Sequence, residues 1–130
     1  MDTLGRHLLG EYYGCSPELL NDTEAMRTLL EEAAAAAKVR VVSHAEHRYS
    51  PQGVTCVLLI EESHLSIHTW PEQGYAAADF YTCGQGDPVS AHEAMVAGLK
   101  PERSEFMLLD RGVASDGPSI EVRAHHTEEE

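Results

Sequence analysis

Residues 61–72 read Glu61-Glu62-Ser63-His64-Leu65-Ser66-Ile67-His68-Thr69-Trp70-Pro71-Glu72 and crowd hydroxyls, imidazoles and carboxylates into one short stretch. Leu65–Trp70 and Tyr75–Thr82 are strand-like runs, and Pro71-Glu72-Gln73-Gly74 between them has the composition of a tight connection. A hairpin on that turn pairs Trp70 with Tyr75. Counting outward sets His68 opposite Ala77, Ser66 opposite Asp79 and Glu62 opposite Cys83. Side chains alternate along a strand, so the even positions share a face with Ala77, Asp79 and Cys83. The count predicts Cys83 beside the Glu62–Ser63 bond with His68 on the same face, a hydroxyl, an imidazole and a thiol converging on one spot.

Three readings suit such a spot. A Ser/His or Cys/His hydrolase needs an oxyanion hole and an orienting acid, and the chain has no Gly-x-Ser-x-Gly elbow. A metal site on His64, His68 and Cys83 matches no standard ligand spacing. The third reading is a hairpin with incidental polar residues, the usual state of isolated Ser and His in small domains.

The elements that must position these groups are legible in outline. Arg6–Gly14 reads as a first strand. A helix starts in Asn21–Glu24, with Glu24 three residues after Asn21 as the candidate cap, and ends near Lys38. Its Met26, Leu29, Leu30, Ala33, Ala34 and Ala37 recur at helical spacing. Val39–Val42 is β-branched and reads as a strand continuing toward Tyr49; Pro51-Gln52-Gly53 marks a turn, and Val54–Ile60 reads as a buried strand. Pro88 suits the first turn of a second helix, with Ala91, Met95 and Leu99 on one face. Phe106–Leu109 reads as the last strand, and no element is assigned beyond Asp110. Strands joined by turns imply an antiparallel sheet, and both helices then cover one face. The expected class is α+β, a two-layer α/β sandwich. The central strands read as too apolar for water on the other face, which a second copy of the chain would cover, so a homodimer is expected.

One domain accommodates all 130 residues. No apolar run reaches the length of a membrane span, and Met1–Gly10 lacks a signal-peptide core, so a cytoplasmic protein without membrane contact is expected. Three cysteines, Cys15, Cys56 and Cys83, form no paired motif and are expected to stay free thiols. A net charge of −13 repels nucleic acid and attracts small cations. Glu128–Glu130 reads as a solvated tail.

Glu62 through Glu72, then Gly74-Tyr75-Ala76-Ala77 and Tyr81-Thr82-Cys83-Gly84, resemble the prokaryotic S-adenosylmethionine decarboxylase family. Leu4-Gly5-Arg6-His7 and His47-Arg48 before Pro51-Gln52-Gly53-Val54 resemble it too, so the likeness runs in order through most of residues 3–110. The resemblance implies that family's fold and a self-processing enzyme of polyamine biosynthesis. Ser63 resembles the serine that attacks the Glu62 carbonyl, divides the chain into residues 1–62 and 63–130, and becomes a covalent pyruvoyl cofactor. Such a carbonyl captures a substrate amine and accepts the electrons left when CO₂ departs. His68 matches the base that removes the Ser63 α-proton, Thr55 a serine that assists processing, and Cys83 the acid that protonates the product carbon. Glu72, Tyr49, Glu46 and Leu65 fall at substrate-binding positions, and no metal is implied. The partners implied are a small cationic substrate and a second copy of the chain.

The chain departs from the family at Glu46-His47-Arg48-Tyr49, where an aromatic pair usually sandwiches adenine. Tyr49 keeps a stacking face, whereas Glu46 suits a guanidinium or an ammonium. S-adenosylmethionine is the leading substrate; L-arginine or L-ornithine is the alternative that Glu46 raises. A non-catalytic regulatory homologue is the third reading, against which stand Ser63, His68 and Cys83 together.

Overall fold

The chain runs β1 (Asp2–Tyr13), α1 (Pro17–Leu20), α2 (Thr23–Ala37), β2 (Val41–Arg48), β3 (Val54–Ile60), β4 (Ser63–Trp70), β5 (Tyr75–Cys83), α3 (Pro88–Leu99), β6 (Arg103–Val113) and β7 (Ile120–Glu129). This computed structural model describes residues 2–117 and 119–129; Met1, Pro118 and Glu130, the end of the acidic tail, lie outside it. The strands form one sheet in the order β2-β3-β4-β5-β1-β6-β7, antiparallel at every pairing.

Helix α2 buries Met26, Leu29, Leu30, Ala33, Ala34 and Ala37, the apolar stripe read from the sequence. Its cap is Asp22, whose carboxylate accepts from the Ala25 N–H at 3.0 Å, rather than Asn21. Asn21 works elsewhere, its Oδ1 accepting from the Gly53 N–H at 3.0 Å and tying the helix start to the β2–β3 loop. The helix stops at Lys38 in a left-handed conformation (φ 61°), whose N–H bonds Ala34 and Ala35. Asp87 caps α3, and Pro88 occupies its first turn. The two helices touch at Gly98, where an added Cβ would lie 2.1 Å from Leu29 Cδ2.

All helices lie against one sheet face. Leu8, Tyr12, Leu58, Leu65, Ile67 and Phe80 meet Met26, Leu30, Met95 and Leu99 there, all fully or almost fully buried. Each large aliphatic side chain removed from water contributes about 2 kcal/mol. The β4–β5 hairpin has the expected register, Trp70 on Tyr75, His68 on Ala77 and Ser66 on Asp79. Its turn is a 3₁₀ segment, Pro71–Gln73, closed by Gly74 at φ 63°.

Several expectations are corrected. β1 starts at Asp2 rather than Arg6 and ends at Tyr13, β6 is longer at both ends than Phe106–Leu109, β4 starts at Ser63, and α1 was not foreseen. β7 is an entire unassigned strand, paired with β6 from Arg103–Glu129 to Arg111–Ile120. Its side chains are exposed almost throughout, so an edge strand of this kind lacks the apolar run that marks a buried one. The helix-free face is also less apolar than expected. At its centre are His7, Ser66, Asp79 and Arg111, and Leu9 and Leu59 are half-exposed around them. Among the described residues no helix is long and apolar enough to cross a membrane.

Candidate active site

On the helix-free face β3, β4 and β5 form three rungs, Thr55–His68–Ala77, Val57–Ser66–Asp79 and Leu59–His64–Tyr81. The chemistry divides between the two ends of this ladder. At one end Ile60 pairs with Ser63, so Glu61–Glu62 is a two-residue turn. Cys83 Sγ donates to the Glu62 carbonyl at 3.4 Å. Ser63 Oγ is buried and has no hydrogen-bond partner. Ser63 opens onto a cleft of about 630 Å³ shared with Val42, Leu59, Tyr81 and Arg111.

At the other end Thr55 Oγ1 lies 3.0 Å from His68 Nδ1 and 3.1 Å from the Tyr49 hydroxyl. A second cleft, about 380 Å³, joins Tyr49, Thr55, His68, Trp70 and Glu72. Trp70 stacks on Tyr75, and the His47 ring stands edge-on to Tyr49 with centroids 4.7 Å apart. A third cleft, about 680 Å³ beside the start of α2, contains none of these residues; its acids include Asp22, already spent on the helix cap.

The expected convergence of hydroxyl, thiol and imidazole is therefore corrected. Cys83 meets the Glu62–Ser63 bond at the Glu62 carbonyl, but His68 lies five residues farther along an extended strand than Ser63. At the strand rise that is about 16 Å, far beyond proton-transfer reach. Alternation assigns a face; it says nothing of distance along the strand. The candidate metal set His64, His68 and Cys83 is likewise not assembled. His64 is held by Asp79, His68 by Thr55 and Cys83 by the Glu62 carbonyl.

Between the two ends sits a cluster that the sequence reading missed. His7 Nε2 and His64 Nε2 both donate to Asp79 Oδ2, at 2.7 and 2.8 Å, and the Ser66 hydroxyl donates to Oδ1. Arg111 donates to His7 Nδ1 at 3.0 Å and lies over the Tyr81 ring, on which His7 also stacks. Burial raises the Asp79 pKa, but the hydrogen bonds from His7, Ser66 and His64 outweigh it and hold the carboxyl well below the usual carboxylate range. His7, His64 and Asp79 are close enough to hold a cation. The tautomer argues otherwise, because a ring accepting from Arg111 at Nδ1 carries its proton on Nε2, the atom that would have to ligate. The Ser66–Asp79 pair was legible in the hairpin count. His7 was not, because only the sheet order puts β1 beside β5.

Two proposed substrate contacts fall elsewhere. Glu46 pairs with Cys56, not with the site-facing Thr55, and its carboxylate takes hydrogen bonds from His44 at 2.8 Å and Arg27 at 3.2 Å. The His44 bond, against a smaller opposing effect of burial and with Arg27 assisting, lowers its pKa. Glu46 is thus neither free for a cationic substrate nor solvated. Leu65 is fully buried under the helices. Tyr49 and Glu72 do line the His68 cleft, together with Trp70, which the sequence reading did not select. His47, adjacent to Glu46 and of opposite parity, has the position on the site face that Glu46 was expected to hold.

The fold and these residues have known counterparts. Over 91% of this chain and 98% of the other, the structure matches the crystal structure of the adenosylmethionine decarboxylase from Aquifex aeolicus with a TM-score of 0.80 and 36% identity. The class is that of a decarboxylase with an antiparallel sheet backed by helices. A family model described as S-adenosylmethionine decarboxylase matches residues 6–112. The chain is 45% identical over 114 residues to the S-adenosylmethionine decarboxylase proenzyme of Caldicellulosiruptor saccharolyticus, spanning 87% of this chain and 92% of that one. Against the proenzyme of Pyrobaculum islandicum it is 42% identical over 112 residues, 85% of this chain and 90% of the relative. The chain belongs to the S-adenosylmethionine decarboxylase family.

Proposed function

We propose that this chain cleaves itself between Glu62 and Ser63, carries the resulting pyruvoyl group at residue 63, and decarboxylates S-adenosylmethionine as a homodimer. The observation that carries the reading is a buried, unpartnered Ser63 hydroxyl next to a carbonyl already engaged by the Cys83 thiol. An orphaned buried hydroxyl is costly, and a nucleophile awaiting its reaction accounts for it.

In processing, Ser63 Oγ bonds to the Glu62 carbonyl carbon and the C–N bond breaks, its nitrogen taking up the hydroxyl proton. The thiol of Cys83 stabilises charge on the carbonyl oxygen as that carbon becomes tetrahedral. Removal of the Ser63 α-proton then breaks the Cβ–Oγ bond and leaves Glu62 as a carboxylate. Water converts the remaining dehydroalanine to pyruvoyl and releases ammonia. The finished group supplies an electron sink for CO₂ loss. Cys83, hydrogen-bonded to the adjoining Glu62 carbonyl, delivers the proton to the product carbon.

His68 serves as the base if its Nε2 lone pair is free. That requires Nδ1–H to donate to Thr55 and the Thr55 hydroxyl to donate to Tyr49, a direction the two contacts allow. Tyr49 and Trp70 offer ring faces to adenine, and Glu72 offers a carboxylate to ribose hydroxyls. With Glu46 engaged by Arg27 and His44, no acid of β2 is left to favour L-arginine or L-ornithine.

The separation of Ser63 from His68 supports a site shared by two copies. A two-fold axis crossing β4 near the Ser66–Asp79 rung lays one helix-free face on another. It sets the Ser63–Cys83 end of each copy against the His68–Glu72 end of its partner.

Co-expression of differently tagged Ser63→Ala and His68→Ala chains tests this. Each variant alone stays whole. In the mixed dimer the His68→Ala chain is cut, because its Ser63 meets an intact His68 on the partner. Cleavage of His68→Ala by itself, or none in the mixture, overturns the shared site. Assays of the processed protein with S-adenosylmethionine, L-arginine and L-ornithine side by side settle the substrate. Release of CO₂ from either amino acid but not from S-adenosylmethionine would reject the first choice.

A further inference from the structure

Among the described non-glycine residues, three have positive φ, and two of them, Lys38 and Lys100, are helix C-caps, where that conformation is routine. The third is Glu62, at φ 65°, on the bond proposed to break. A two-residue turn with left-handed backbone at its second position normally takes Gly or Asn there, because a Cβ crowds the adjoining peptide. Here the position holds Glu, and its neighbours fix it. The Glu61 N–H donates to the Arg40 carbonyl at 3.0 Å, and the Arg40 guanidinium pairs with the Glu61 carboxylate at 3.3 Å. Cys83 holds the Glu62 carbonyl from the other side.

We infer that the left-handed backbone at Glu62 is stored strain that drives self-cleavage, a positioning role resting on the processing reading above. The amide links the Glu62 carbonyl carbon to Ser63 Cα through two bonds, by way of nitrogen. The ester links the same atoms through three, by way of Oγ and Cβ. As Oγ–C forms and C–N breaks, with the proton passing from oxygen to nitrogen, the tight turn lengthens. Glu62 is then free to leave the left-handed region. An amide-to-ester exchange that is uphill in an ordinary chain becomes less so.

The test compares three full-length precursors made by cell-free translation, the unaltered chain, Glu62→Gly and Glu62→Ala. The rate at which fragments 1–62 and 63–130 appear is followed by mass spectrometry. Glycine accepts positive φ without penalty, so Glu62→Gly is expected to cut about five- to tenfold more slowly, the rate change that relief of one unfavourable residue conformation represents. Alanine removes the carboxylate but keeps the Cβ and stays on the fast side with Glu. In a Ser63→Ala background, where nothing is cut, Glu62→Gly raises the unfolding midpoint, a readout independent of chemistry. Glycine cutting as fast as Glu, or no gain in midpoint, overturns the inference while the processing reading survives. An unaltered chain that never divides overturns both.

Discussion

Single positions on β2 show how much one step of parity decides. Glu46 and His47 are neighbours, yet one faces α2 and the other faces the site, because successive strand residues point to opposite sides. The anion that raised a basic substrate as the alternative belongs instead to an ion pair that fastens β2 to α2. That pairing has a stability signature and not a substrate one. Glu46→Gln should lower stability by about 0.5–1 kcal/mol, the range of a partly exposed ion pair, and double-mutant cycles with His44→Ala and Arg27→Met should show coupling to both partners. KM for S-adenosylmethionine should move by less than about twofold, since the side chain is not in the pocket. A much larger change in KM would return Glu46 to the substrate.

At the level of elements, Asp79 joins β5 to both neighbours at once, taking donors from His7 on β1 and from His64 and Ser66 on β4. Asparagine has the same shape but turns an acceptor oxygen into an NH₂ that faces donors. Asp79→Asn should therefore cost about 2–3 kcal/mol, the penalty for leaving partly buried donors unmet. Urea unfolding of Ser63→Ala protein with and without the change measures it, and coincident midpoints would show the cluster to be incidental. The carboxyl is already held below its ordinary range. Its contribution to stability is thus complete at neutral pH and fades only as pH falls below the usual aspartate range.

For the whole molecule, a buried histidine under α3 is expected to make stability depend on pH in the acid range. His92 is buried against Phe106, and its Nδ1 lies 2.8 Å from the Tyr12 hydroxyl. Burial keeps Tyr12 protonated, so the phenol donates and His92 accepts as a neutral ring. Burial first, with His126 assisting, lowers the His92 pKa from 6.5 to about 4. The unfolded chain takes up this proton near 6.5 and the folded one only near 4. Stability attributable to His92 is full above the upper value and falls as pH drops between the two, by about 3 kcal/mol in all. Stability curves between pH 7 and 4 should show that slope. His92→Gln, which still accepts from Tyr12, should flatten it, and an unchanged slope would assign the acid sensitivity to other groups.

What the sequence determined by itself is what depends on near neighbours in the chain. The α2 stripe follows from a 3.6-residue repeat, and the β4–β5 register follows from one short turn. The meeting of Cys83 with the Glu62–Ser63 bond follows from that register. Family likeness supplied the roles proposed for Ser63, His68 and Cys83. Only the tertiary structure decided that β1 lies between β5 and β6, which brings His7 to Asp79 across 72 positions of sequence. It alone revealed β7, whose brief alternation of Ile120, Val122 and Ala124 stays largely exposed, and the length of strand that separates Ser63 from His68. Periodicity records which side of an element is dry. Strand order and distance arise from packing between elements remote in the chain, and no local pattern encodes them.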